Sequence, residues 1–70
     1  MPDTWYLGID IGGTNLLVGL VPADGGEPEG VRVRATEPER GADAIVTDVV
    51  RMARDAVREV LGSEGRDRVL

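Results

Sequence analysis

The sequence contains no cysteine, no histidine and no phenylalanine, and has one Trp and one Tyr among its 70 residues. Without cysteine, neither a disulfide nor a thiolate metal site can hold the fold together. Without histidine, the chain lacks the usual general base near neutral pH and the commonest zinc ligand. These absences exclude the disulfide scaffolds and the small zinc-bound domains, and a chain this short holds at most one small domain.

Long apolar runs and a basic balance are also absent. The longest apolar run beyond the first strand is Leu16-Leu17-Val18, far below the roughly 20 residues of a membrane span, and no basic N-terminal region predicts a targeting segment. The net charge of −5 argues against a nucleic-acid surface, which needs clustered cations. We therefore expect a soluble cytoplasmic protein without nucleic-acid or membrane partners.

Alternation of side chains predicts three antiparallel strands, over about residues 4–11, 14–22 and 30–36. Gly12-Gly13 is expected to form the first turn, because both glycines can adopt positive φ, and Asp24-Gly25 the tip of the second. The second strand is apolar on both faces, so we expect it to be covered on both sides.

The third strand has one apolar and one polar face, which is typical of an edge strand. We expect three of its residues to face inward, namely Val31, Val33 and Ala35. Three others are expected to face outward, namely Arg32, Arg34 and Thr36.

One long amphipathic helix is predicted over about residues 42–61, with Gly62 as the glycine that ends it. Its expected buried stripe contains Ile45, Val49, Ala53, Ala56 and Val60, widened by Val46, Val50, Val57 and Leu61. Asp48 is expected on the charged far side. After a polar segment, Val69-Leu70 is expected to begin another strand.

The residues with a possible chemical role lie between the first two strands. Gly12 and Gly13 let an anion approach the backbone, whose successive N–H groups can bind phosphate oxygens. Thr14 and Asn15 add uncharged side-chain donors, and Asp10 can hold Mg²⁺ through water. The alternative is a purely structural hairpin, since Gly-Gly turns beside an Asp are common in β proteins. Walker and dinucleotide-binding spacings are both absent.

The run Gly8-Ile9-Asp10-Ile11-Gly12-Gly13-Thr14-Asn15, followed by Leu16-Leu17-Val18-Gly19-Leu20-Val21, resembles the opening of the ROK family of sugar kinases and repressors. The layout of the remaining chain is similar to that family as well. The resemblance implies the β-β-β-α start of an RNase H-like, actin-like ATPase domain, with further parallel strands downstream. Residues 1–70 would then form a partial N-terminal domain.

The resemblance also implies ATP, Mg²⁺ and a hexose such as glucose as partners of the parent protein. The β- and γ-phosphates would be held by four residues, namely Gly12, Gly13, Thr14 and Asn15, and Asp10 would sit near the metal. The family's catalytic Asp, in an Asn-Asp pair, and its Cys/His zinc cluster lie downstream and have no counterpart here. We therefore expect no catalytic residue in this chain and no sugar phosphorylation by it alone.

Two alternatives stay open. The chain could belong to a ROK transcriptional repressor, although Asp10 leaves no room for a preceding DNA-binding domain if Met1 is the true start. It could also be a small non-catalytic binding or interaction domain. Which sugar the parent uses, and whether the parent is a homo-oligomer, are not determined by these residues.

Overall fold

A computed structural model describes residues 3–63 and 65–70 of the chain. Within these ranges the elements are β1 (Trp5–Ile11), β2 (Asn15–Pro22), β3 (Glu29–Ala35) and α1 (Ala42–Leu61). Short 3₁₀ turns lie at Pro38–Arg40 and Gly65–Arg68. The strands form one antiparallel sheet in the order β1-β2-β3. This confirms the predicted α/β class, although residues 1, 2 and 64 of the predicted domain lie outside the described residues.

Helix α1 covers one face of the sheet and packs mainly against β2 and β3. The core comprises Leu16 and Val18 of β2 and three helix residues, Val49, Met52 and Ala56. Burial of these side chains is the main force that holds the helix on the sheet, because apolar burial stabilises by roughly 25 cal/mol per Å². The helix bounds match the prediction, and Gly62 follows with a φ of 82°.

The orientation predicted for β3 is wrong. Arg34 lies opposite Leu16, and Arg32 lies opposite Val18, so both arginines are on the helix-covered face of the sheet. Val31 and Val33 are on the other face and are 50% and 59% exposed. The reason is that α1 presents carboxylates toward β3, and these pair with the arginines that sequence pattern alone would place in solvent.

The predicted helix stripe is correspondingly rotated. Asp48, expected on the far side, is only 5% exposed and faces β3, and Met52 is buried although the predicted stripe omitted it. Val46 and Val50, expected in the stripe, are exposed on the opposite flank of the helix. The ion pairs between α1 and β3 thus rotate the helix. Its side that carries Asp48 is buried, and part of the predicted apolar stripe is exposed.

The second face of β2 is not covered by any described residue. Leu17 is exposed there, together with its neighbour Val33 and with Tyr6 of β1. The expectation that β2 is enclosed on both sides is therefore wrong for the part of the chain that the structure describes.

The C-terminal residues pair with the first strand. Val69 forms a parallel bridge with Trp5, and the Leu70 N–H donates to the Trp5 carbonyl oxygen at 2.9 Å. This pairing places Val69 beside β1 as a single bridge, and the expectation that a further strand begins there stays a prediction.

Candidate functional site

The turn between β1 and β2 lies one residue further along the chain than the sequence predicts. The Gly12 N–H donates to the Asn15 carbonyl oxygen at 2.9 Å, and Ile11 pairs with Leu16. The tip of the hairpin is therefore Gly13-Thr14 and not Gly12-Gly13. Neither glycine has a φ in the left-handed region. The expected use of positive φ at this turn is therefore wrong.

The two glycines of the turn have different surroundings. A Cβ atom on Gly12 would lie 3.1 Å from the Asn15 carbonyl oxygen, so the closing hydrogen bond leaves little space for a side chain. A Cβ atom on Gly13 would meet nothing within 4 Å. Gly13 thus leaves an open approach to the backbone, and Thr14 and Asn15 beside it are exposed.

Thr36 fixes this turn from the end of β3. Its hydroxyl donates to the Gly12 carbonyl oxygen at 2.7 Å, and its N–H donates to the Thr14 carbonyl oxygen at 2.9 Å. Thr36 is only 3% exposed. The alternation of β3 predicts Thr36 as an outward-facing strand end, and this prediction is wrong. The signal that could have found this contact is the strand register, which places residues 14 and 36 side by side.

An ion-pair network joins Thr36 to the helix. The Arg40 guanidinium donates to the Thr36 carbonyl oxygen at 3.1 Å and to the Asp48 carboxylate at 2.5 Å, and Arg34 lies 3.2 Å from the same carboxylate. The hydrogen bond from Arg40, assisted by the charge of Arg34, lowers the pKa of Asp48 from its ordinary range. Asp48 is therefore an anion at neutral pH, and it anchors the segment that holds the turn.

Asp10 is exposed one residue before the end of β1. It pairs with Leu17 and shares the uncovered face of the sheet with Leu17 and Val33. The structure thus keeps Asp10 near the turn, at the sheet end that carries Gly12–Asn15. No group of three His, Cys, Asp or Glu side chains suited to a metal ion occurs among the described residues.

Open grooves lie elsewhere, along α1. One of them is lined by residues that include Ala53, Arg54, Val57, Arg58 and Val69. It contains none of the candidate residues of the turn, which is a surface site and not a cavity. Among residues 3–63 and 65–70, no helix is both long and apolar enough to span a bilayer.

Comparison with known proteins gives no matching family model, no matching curated protein and no matching solved structure. The function of the chain is therefore inferred from its own residues and their geometry.

Proposed function

We propose that the chain is the N-terminal, phosphate-binding portion of an ATP-dependent sugar kinase, incomplete by itself. In the whole protein a phosphoryl group would pass from ATP to a hexose such as glucose. The observation that carries the proposal is the Gly13 turn. Its backbone is open to solvent, yet its two flanking carbonyl groups are held by a buried threonine.

Such a turn suits phosphate because binding an anion requires donors that are already oriented. Backbone N–H groups that point into one concavity bind phosphate oxygens without a compensating charge. The side chains of Thr14 and Asn15 are exposed beside the turn and can donate further hydrogen bonds. Gly12, Gly13, Thr14 and Asn15 are the residues that we assign to the β- and γ-phosphates.

Asp10 is assigned to the magnesium ion that accompanies ATP. Mg²⁺ keeps several waters and is commonly bound by one or two carboxylates together with substrate phosphates. A single exposed carboxylate beside a phosphate-binding turn fits that mode of binding. The bound ion would neutralise charge on the phosphates, while Asp10 would hold it in place at the end of β1.

The pairing of the C-terminal residues supports the RNase H-like part of the proposal. A strand parallel to β1 requires a crossover after an antiparallel sheet, and α1 provides that crossover before Val69 bridges to Trp5. We infer that the sheet of the whole protein extends on the β1 side.

Catalysis needs a general base within hydrogen-bond reach of the sugar hydroxyl. Asp10 is the only carboxylate close to the turn in sequence, and it is assigned to the metal. We assign no catalytic residue within these 70 residues and expect the chain to bind nucleotide without turning over sugar. A coupled assay with glucose and MgATP should stay at the buffer blank; turnover that Asp10→Ala abolishes would contradict this.

The test is an amide-resolved NMR titration of the chain with MgATP. We expect shifts concentrated at residues 10–15 and at least roughly tenfold weaker binding for Gly13→Val, since one blocked contact worth about 1.4 kcal/mol is a factor of ten. Asp10→Asn should weaken binding of MgATP but not of ATP in EDTA.

Asp24→Asn is the matched control, because Asp24 lies in the second hairpin turn and accepts a hydrogen bond from the Gly26 N–H that an amide oxygen can also accept. Unchanged MgATP binding by folded Gly13→Val would refute the phosphate assignment.

The uncovered face of the sheet favours a second candidate, the small binding domain. Tyr6, Leu17, Val31 and Val33 expose apolar surface there, and exposed apolar patches often mark interaction sites. The same titration separates the two functions, because a pure binding domain would show no MgATP response at residues 10–15.

A further inference from the structure

Thr36 uses each of its polar groups within the described structure. The hydroxyl and the N–H donate to the carbonyl oxygens of Gly12 and Thr14, and its own carbonyl oxygen accepts from Arg40. Because Thr36 is almost fully buried, these hydrogen bonds are shielded from competing water. The residue is therefore fixed at the interior side of the turn.

Holding a carbonyl group also orients the N–H group of the next residue. A trans peptide is planar, and its C=O and N–H groups point in opposite directions; the peptide bonds of the turn are all trans. With the Gly12 carbonyl directed at the Thr36 hydroxyl, the Gly13 N–H points away from Thr36. The Thr14 carbonyl likewise directs the Asn15 N–H away from β3.

The Gly13 N–H is the more available donor of the two. Neither a backbone nor a side-chain acceptor bonds to it among residues 3–63 and 65–70. Gly13 itself is exposed, and no atom occupies the space beside its Cα. An N–H group in such a position is free to bind an incoming oxygen anion.

We propose that Thr36 is the positioning residue of the anion-binding turn, directing the Gly13 N–H group outward toward a phosphate. This inference rests on the proposed function. Beyond that function, we infer that Thr36, which lies 22 positions after Thr14 of the hairpin tip, determines how the donor is oriented. The network of Arg40 and Asp48 then holds Thr36 itself, through its carbonyl oxygen.

The test uses inorganic tripolyphosphate as the probe and follows amide shifts of the 70-residue chain. Thr36→Val keeps the shape and the backbone N–H but removes the hydroxyl that holds Gly12. We expect roughly fivefold weaker binding, the size of one ordinary hydrogen bond, and a larger loss of response at Gly13 than at Asn15. Thr36→Ser, which restores a hydroxyl, should bind within about twofold of wild type by the same reasoning.

Thr47→Val is the matched control, because the Thr47 hydroxyl donates to the Asp43 carbonyl within the helix, away from the turn. It should leave tripolyphosphate binding unchanged. A second measurement on the wild-type chain applies even if Thr36→Val does not fold. The Thr36 hydroxyl proton should exchange slowly and show a scalar coupling to the Gly12 carbonyl carbon.

The outcomes separate the two proposals. No response of the wild-type turn to tripolyphosphate overturns the proposed function and the positioning role together. The wild-type turn could respond while Thr36→Val binds with the same affinity and the same ratio of Gly13 to Asn15 shifts. That result overturns only the positioning role. Absence of the hydroxyl coupling overturns that role as well.

Discussion

The two flanks of α1 differ in how they meet the sheet. On the β3 flank, charged side chains pair across the gap. Arg32 lies 2.9 Å from Glu59, and Arg34 lies 3.2 Å from Asp48. These pairs cover the outer edge of the core with polar groups that can face water, which is a common way to protect an edge strand from unwanted pairing.

The β1 flank is apolar and open. Ile9 and Ile11 of β1 and Val46 and Val50 of α1 are all exposed there. At the start of β1, Trp5 is buried, and its indole Nε1 has no hydrogen-bond partner among the described residues. Among the described residues, the β3 side is thus covered by polar groups, whereas the β1 side, which Val69 already joins, is apolar and open, as the proposed extension of the sheet requires.

The charged flank should be the more sensitive to a single substitution. Asp48→Ala removes the charged hydrogen-bond partner that Arg34 and Arg40 share, so we expect the Tm to fall by roughly 10 °C. Thermal unfolding followed by circular dichroism measures this. Asp55→Ala, on the exposed side of the same helix, should change the Tm by less than about 2 °C. Equal effects of the two substitutions would show that the network does not hold the helix.

Two neighbouring valines test the position of the boundary between the flanks. Val49 is 8% exposed and Val50 is 42% exposed. Val49→Thr buries a hydroxyl in the core and should lower the free energy of unfolding by about 1–2 kcal/mol. Val50→Thr should change it by less than about 0.5 kcal/mol. Urea unfolding of both variants gives these values, and a reversed order would contradict the observed rotation of the helix.

The loss of folding stability at acid pH should also depend on Asp48. Because its pKa is lowered in the folded chain, the unfolded chain binds the proton first as pH falls past about 4. The contribution of Asp48 is therefore present above that pH and is lost as pH falls through the lower, folded pKa. Between pH 7 and 3 the Tm of the wild-type chain should drop more than that of Asp48→Asn. Parallel curves for the two proteins would contradict the assignment.

The smallest effect is expected at the other ion pair of the β3 flank. The Glu59 side chain is largely exposed, so Glu59→Gln should cost less than about 0.5 kcal/mol in unfolding free energy. Added salt should remove even this difference, since exposed charges are screened. Urea unfolding at low and high ionic strength measures it. A larger, salt-independent cost would show that Arg32 depends on this partner more than its exposure indicates.

The sequence predicts the elements well because their signals are local. Apolar periodicity and Gly62 determine the helix bounds, and Asp24-Gly25 lies in the second turn as expected, with Gly25 at a φ of 89°. The site residues Asp10 and Gly12–Asn15 lie together for the same reason, since they are consecutive along one hairpin.

The errors concern relations between distant residues. Whether Arg34 faces solvent or the helix depends on Asp48, which is distant in sequence, and no periodicity within β3 contains that information. The role of Thr36 depends on the register between β2 and β3, and the tip of the first turn depends on one hydrogen bond from Gly12. The local residue pattern predicts which segments form strands and the helix. The charges of distant partner residues and the strand register determine which face of each segment is buried.

The most direct test of the central claim replaces Mg²⁺ by paramagnetic Mn²⁺ in a complex with ATP and maps amide line broadening along the chain. If the turn holds the phosphates and Asp10 the metal, broadening should be strongest at residues 10–15 and should weaken in Asp10→Asn. The competing anion site is the exposed side of α1, where Arg51, Arg54 and Arg58 line an open groove. Broadening centred on those arginines, or none that depends on ATP, would contradict the account.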